Sequence, residues 1–181
     1  MTHCKQYAPC SVRILRYDRP LMIEINEQFE VASTPRCVWD LLSDPDSVVS
    51  CVPGATLGEK HEDGSFDGGV TVKFGPARVT FRARITLELD PAEMSGRVTS
   101  RGKDTQGGTR FNATMSFRVV ENAGQGGSTV LIKGENEITG KLAGIVESGA
   151  KIVIRRMSAE FAQNLAARCA VPPPAEGEAG A

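Results

Sequence analysis

The stretch DPDSVVSCVPGATL, residues 44–57, sets Cys51 two residues before a Pro-Gly pair. A cysteine nucleophile acts as the thiolate and needs a base or cation beside it. The histidines are His3, near the N-terminus, and His61, in the polar segment EKHEDGS. Neither is positioned by the sequence to activate Cys51, so the expectation is architectural. Cys51 packs a helix end as a small apolar residue, Pro53 stops the helix, and Gly54 turns the chain into the next strand. The cysteines are Cys4, Cys10, Cys37, Cys51 and Cys169, odd in number and without a CxxC pair. They read as reduced thiols of a cytoplasmic protein, and they lack the ligand spacing of a zinc site. No GxxxxGK[ST] loop occurs, and the glycine pairs sit in hairpin turns. Neither a metal nor another cofactor is expected.

Any chemistry must therefore be positioned by the elements around these residues, and most of them read as strands. Ile23, Ile25, Phe29 and Val31 mark a first strand. Thr34 then caps a short helix with Pro35 at its first position, and Val38, Leu41 and Leu42 fall on one face. Asp44 and Pro45 open a second short helix, PDSVVSCV. Alternation is strict in VTVKF (70–74), ARVTFRARITLELD (77–90), RFNATMSFRVV (110–120) and STVLIKGENEITG (128–140), and weaker in MSGRVTSRGKD. The turns DPAEM, DTQGG and ENAGQGG separate consecutive strands, which predicts an antiparallel meander. The period then becomes helical: Leu142, Val146, Ala150, Val153, Met157, Phe161 and Leu165 form one stripe along a helix of about 25 residues. The expected architecture is α+β, a twisted antiparallel sheet of about six to seven strands wrapped around a long C-terminal helix, with two short helices after the first strand.

The phases of these strands sort the polar residues. Inward positions read as Val, Phe, Ala, Ile, Leu and Met, with Ser100, Gly102, Gly134 and Asn136 as exceptions. No carboxylate, histidine or lysine is expected on that side, and general acid–base catalysis needs one. The chain is therefore expected not to be an enzyme; a buried carboxylate or histidine in a cavity would reverse that order. Lys73, Arg78, Arg82, Arg84, Arg97, Arg101, Arg110 and Arg118 fall outward, against Glu88, Glu135 and Glu137. They read either as a solvated face with cross-strand ion pairs or, at Arg82, Arg84, Arg97 and Arg101, as a docking face for an acidic partner or anionic headgroups. Interleaved aromatics are missing, which argues against nucleic acid.

The 181 residues suffice for one domain with tails, and a net charge of −1 points to no polyanionic partner. No apolar run approaches the roughly 18 residues of a membrane span, and the start carries no secretory h-region. Residues 1–21 show neither period and read as a disordered arm, an upstream extension or a mis-assigned start before Met22. The domain is expected over 22–169, followed by a disordered tail, 170–181, of Pro, Gly, Ala and Glu.

The element order and the residues Trp39, Asp40, Leu41, Leu42, Asp44, Pro45, Pro53, Gly54 and Ala55 together resemble a known family. DGSFDGGVTVKFGP (63–76), TGKLA (139–143) and the late helix with Phe161 and Leu165 extend the match over about residues 23–168. The chain resembles the CoxG branch, named for the CoxG subunit of carbon monoxide dehydrogenase, of the START-like, polyketide-cyclase-like (SRPBCC) superfamily. That resemblance implies a helix-grip fold with a cavity between sheet and long helix. It also implies an accessory role beside a molybdenum hydroxylase, a lipophilic ligand such as a quinone or lipid, and peripheral contact with the inner face of a membrane. The tail PPPAEGEAGA departs from relatives that end in an apolar tether. On this reading Phe81, Ala83, Ser100, Phe111, Ala113, Met115, Ile132, Gly134 and Asn136 line the cavity from the sheet. Val146, Ala150, Val153 and Met157 close it from the helix. Folding the hairpins brings Ser100, Ala113, Gly134 and Asn136 together, either as room for a ligand or as the seat of a closely packed helix. Trp39 is expected in the core. The alternatives are a cyclase, hydratase or hydrolase using the same cavity, and an interaction subunit whose core is filled.

Overall fold

A computed structural model describes residues 11–16, 20–122 and 126–170. Two strands come first, β1 (Ser11–Arg16) and β2 (Leu21–Val31). Two short helices follow, α1 (Pro35–Leu42) and α2 (Pro45–Cys51). Six more strands are β3 (Ala55–Lys60), β4 (Phe66–Phe74), β5 (Ala77–Asp90), β6 (Ser95–Asp104), β7 (Thr109–Glu121) and β8 (Ser128–Gly140), and the helix α3 (Ala143–Ala170) ends the described chain. One eight-stranded sheet has the order β1-β2-β8-β7-β6-β5-β4-β3, antiparallel at every pairing. β3 to β8 form a meander, and β2 closes onto β8 through eleven paired positions, from Leu21↔Ile138 to Val31↔Ser128.

The strand count corrects the expectation of six to seven. The extra strand lies inside the stretch expected to be an unstructured extension, since Ser11–Arg16 pair with Asn26–Leu21. Val12 and Ile14 pack against the core there, but two alternating apolar residues are too brief a signal to register as a strand. The weak segment MSGRVTSRGKD is the ten-residue β6, paired on both sides. Its inward positions include Gly96, Ser100 and Gly102, so hydrogen bonding to both neighbours, rather than apolar patterning, holds it. Residues 1–10, 17–19 and the expected tail beyond 170 lie outside the described residues.

Local chemistry explains the short helices. Thr34 Oγ1 accepts from Cys37 N at 3.3 Å, and Asp44 Oδ2 accepts from Ser47 N at 2.9 Å; each helix has proline at its start. Such caps contribute about 1 kcal/mol each. Pro53 then precludes further helix. Gly54 has φ +74°, and a Cβ there would lie 2.5 Å from Thr71 O. The Pro-Gly pair thus seats the α2–β3 turn directly against β4, as its residue types imply.

The apolar residues divide into two clusters. One joins the two short helices, the C-terminal part of α3 and one end of the sheet through Phe29, Val38, Leu42, Val130, Ala162 and Leu165. The other joins the first half of α3 to the opposite end through Leu21, Phe74, Val79, Ile138 and Val146. Trp39 is buried, as expected, and its ring lies 6.2 Å from that of Phe117.

Candidate functional site

The interval between the two core clusters is the part of the inner face that packing leaves unfilled. Register places Ser100 opposite Ala113, Ala113 opposite Asn136, and Asn136 opposite Ile23. One step along, Val98, Met115, Gly134 and Ile25 form the adjacent row. Ala83, Ser100, Ala113, Met115 and Asn136 are all half-buried and belong to neither cluster, as does Met157 from α3. The long helix leans on β2, β4, β8, α1 and α2, and makes no comparable backbone approach to β5, β6 or β7. The strip is therefore neutral and small-residue, with Ser100 and Asn136 as polar side chains among apolar ones.

The other expected cavity residues have different places. Phe81, Val146 and Ala150 are fully packed members of the second cluster, with Phe111 and Val153 against them. The Phe81 and Phe111 rings meet edge to face at 5.5 Å. Ile132 packs on the first cluster. Gly134 is buried, and a Cβ built there would meet Ile25 at 3.6 Å and Met115 at 3.8 Å, ordinary contacts. Val98, Ile85 and Leu87 are half-buried on the same face in neither cluster. Their alternation was visible in the sequence, but their place in the gap was not.

The expectation of no inward carboxylate is corrected at two positions. Glu27 falls in the inward phase of β2, opposite Ile132, and is 7% exposed. Asp104 falls opposite Phe81 and is also buried. Burial pushes the Asp104 carboxyl up, but the Thr109 hydroxyl and the amides of Gly108, Gln106 and Gly107 outweigh it and hold the group below its usual value. Asp104 is thus consumed in closing the β6–β7 turn. Glu27 was legible as position 27 in a strand with inward 23, 25, 29 and 31. A glutamate breaking that pattern was the available signal.

Cys51 is fully buried in the first cluster, its carbonyl accepting from Asn164 Nδ2 at 3.0 Å. Burial raises its thiol above the usual value, partly offset by Arg168. Cys169 is raised by burial and by the adjacent Cys37 thiol. These environments are the opposite of those that make a thiolate. His61 sits in the β3–β4 turn with Nε2 3.0 Å from Asp67 Oδ1, remote from Cys51 in the fold's connectivity. Among the described residues no group of three or more His, Cys, Asp or Glu is arranged to hold a metal ion; Cys4, Cys10 and His3 lie outside them.

A second concavity, of about 890 Å³, lies over β3–β7. It takes in Arg82, Arg84 and Arg101 of the expected docking face, and of the expected cavity only Ala83 and Phe111. Lys103 and Arg110 complete its cationic lining. Arg97 is set apart, directly opposite Glu88. Arg84 Nε lies 3.2 Å from Asp67 Oδ1; His61 first, and then Arg84, hold that carboxyl below its usual value. Sequence phase identified these residues as outward, but not which of them share a hollow.

Comparison with solved structures bears out the helix-grip architecture. A conserved protein from Geobacillus kaustophilus aligns with TM-score 0.69 at 19% identity, covering 81% of this chain and 95% of that one. The ZhuI aromatase/cyclase from Streptomyces sp. R1128 aligns at 0.56 with 18% identity, covering 82% and 93%. A truncated norcoclaurine synthase from Thalictrum flavum aligns at 0.53 with 17% identity, covering 84% and 96%. At such identities the likeness shows fold alone. No curated protein matches the chain in sequence. The family model for CoxG, the carbon monoxide dehydrogenase CoxG subunit, matches residues 28–170, which takes in both short helices, the Pro-Gly turn, the meander and all of α3, and the chain belongs to the CoxG family of carbon monoxide dehydrogenase.

Proposed function

We propose that this chain is a non-enzymatic carrier. It holds a lipophilic small molecule, such as a quinone or lipid, on the inner-face strip, and it serves a molybdenum hydroxylase of the carbon monoxide dehydrogenase type. The observation that carries the reading is the split core: half-buried Ala83, Ser100, Ala113, Met115, Asn136 and Met157 lie between two packed clusters, where α3 stands off the central strands. Apolar walls with few polar groups suit a lipophilic molecule, and the Asn136 amide suits a carbonyl or hydroxyl head. Peripheral contact with a membrane or partner is supported by Ile145 and Ile152, 41% and 74% exposed and seven residues apart on one side of α3. Among the described residues no helix is long and apolar enough to cross a membrane, so contact at a surface is the mode that fits.

The test is native mass spectrometry of freshly purified protein, followed by solvent extraction. A co-purifying apolar molecule of one defined mass supports the carrier. A ligand-free chain that also fails to take up added quinone overturns it in favour of an interaction subunit with a filled core.

Glu27 favours a second reading, an enzyme of the cyclase, hydratase or hydrolase kind. A buried carboxyl beside an apolar gap is a general acid or base by chemistry. Incubating the extracted molecule with the parent and with Glu27→Gln separates the two. Conversion by the parent but not by the variant makes the chain an enzyme; an unchanged molecule in both leaves the carrier.

A further inference from the structure

Arg82, Arg84, Arg101, Lys103 and Arg110 converge on the concavity over β3–β7. Register sets Arg84 opposite Arg101, and sets Arg82 opposite Lys103, which in turn faces Arg110. Like charges directly opposite in a sheet are destabilising. Only Arg84 has a carboxylate within ion-pair distance; among the described residues Arg82, Arg101, Lys103 and Arg110 have none. Elsewhere the same sheet neutralises its arginines: Arg97 faces Glu88, and Arg118 pairs with Glu93. In a chain of net charge −1, this is a local concentration of charge and not general basicity. The hollow also has a bare floor. Gly58 and Gly69 occupy outward positions, and a Cβ at Gly69 would come within 3.0 Å of Thr56 Oγ1.

We infer that this outer concavity is a binding site for a small, multiply charged, phosphate-bearing molecule, distinct from the inner-face strip. Strands lie about 4.8 Å apart, so the row Arg82–Lys103–Arg110 spans about 10 Å. Adjacent phosphates concentrate two or more charges within that distance, and guanidinium forks match their oxygens bidentately. Glycine at the floor lets a phosphate approach the backbone. The volume, about 890 Å³, lies within the roughly 300–1,000 Å³ of small-molecule sites. A flat bilayer would reach the rim of such a hollow and leave its floor unfilled. Carboxylates of a protein surface carry one charge each and spread it more widely.

The probe is inorganic pyrophosphate, titrated calorimetrically into the full chain at constant ionic strength of about 0.15 M, with sulfate as the reference anion. Pyrophosphate is expected to bind at least about tenfold more tightly than sulfate. Arg101→Glu should abolish that preference, and Lys103→Gln should weaken it. Arg97→Glu, equally exposed but outside the hollow, should leave it intact. Circular dichroism of each variant checks the fold, and Lys103→Gln retains the test if Arg101→Glu does not fold. Equal affinity for the two anions overturns the inference, as does equal loss in the Arg97 and Arg101 variants. Sedimentation with phosphatidylglycerol vesicles in the absence of pyrophosphate binding would make the hollow a membrane contact instead. Binding of polyglutamate without pyrophosphate binding would make it a protein-docking surface.

Discussion

Ala113→Trp distinguishes an open strip from a filled core. Ala113 is half-buried at the middle of β7, with Ser100 directly across on one side and Asn136 on the other, and a glycine, Gly134, in the next row. None of its cross-strand partners is large, so an indole projecting inward enters the gap between the two core clusters rather than either cluster. A tryptophan side chain brings some 150–250 Å² of surface, enough to occupy the position of a ligand head group. If the strip is open, the variant should fold and lose ligand. Ligand at a hundredfold over its dissociation constant stabilises by about 2.7 kcal/mol. In a chain of this size that corresponds to a rise in Tm of about 5–11 °C. The assay is a thermal melt of parent and variant, each with and without the molecule extracted from the parent. The parent should show the shift; the variant should show none while melting near the ligand-free parent. Overpacking a closed core costs about 1–3 kcal/mol. A variant that melts several degrees early, beside a parent indifferent to added ligand, would refute the reasoning.

The remaining expectations are shorter. Gly102→Ala should destabilise by more than about 1 kcal/mol on the scale of overpacked sites, because its Cβ would lie 2.1 Å from Arg82 O and 2.9 Å from Ala83 Cα. Gly134→Ala should be neutral or stabilise by about 0.5–1 kcal/mol, since the strand glycine gains a methyl in ordinary contact; urea midpoints of the pair decide. Cys51→Ala should lower stability by about 1 kcal/mol and leave ligand content unchanged; loss of binding in a folded variant would restore a chemical role to the thiol. Asp63, Asp67 and Asp104 all have folded pKa values below their ordinary ones. The unfolded chain therefore binds more protons than the folded one in acid. The stability these groups contribute is fully present above about pH 4, near the ordinary carboxyl value, and is lost as the pH falls through the lowered values. Asp104→Asn should flatten that acid limb in a pH series of urea melts, and an unchanged limb would remove Asp104 from the account.

Much of the fold is local in origin and could be read from the chain. The alternation in 77–90, 109–121 and 128–140 depends on successive side chains leaving opposite faces of a strand, so phase and inward lists followed without coordinates. The caps at Thr34 and Asp44 and the stop at Pro53-Gly54 are contacts within a few residues, and they occur where residue type put them. Hairpin turns short enough to fix register brought Ser100, Ala113 and Asn136 into one row. Period alone could not decide what fills the space those residues face. Whether a strand's inward residue is packed or half-buried depends on how the sheet coils and where α3 leans, and both are set by contacts between residues far apart in the chain. Hence Phe81 and Val146, identical in phase to Ala83 and Met157, are core while the latter pair are not. The same limit applies outside: the sequence marked Arg97 and Arg101 as outward alike, and only the pairing of neighbouring strands set one against Glu88 and the other among uncompensated cations. Glu27 is the converse case, a polar residue in an apolar phase, whose burial at β2 was decided when that strand was enclosed between β1 and β8.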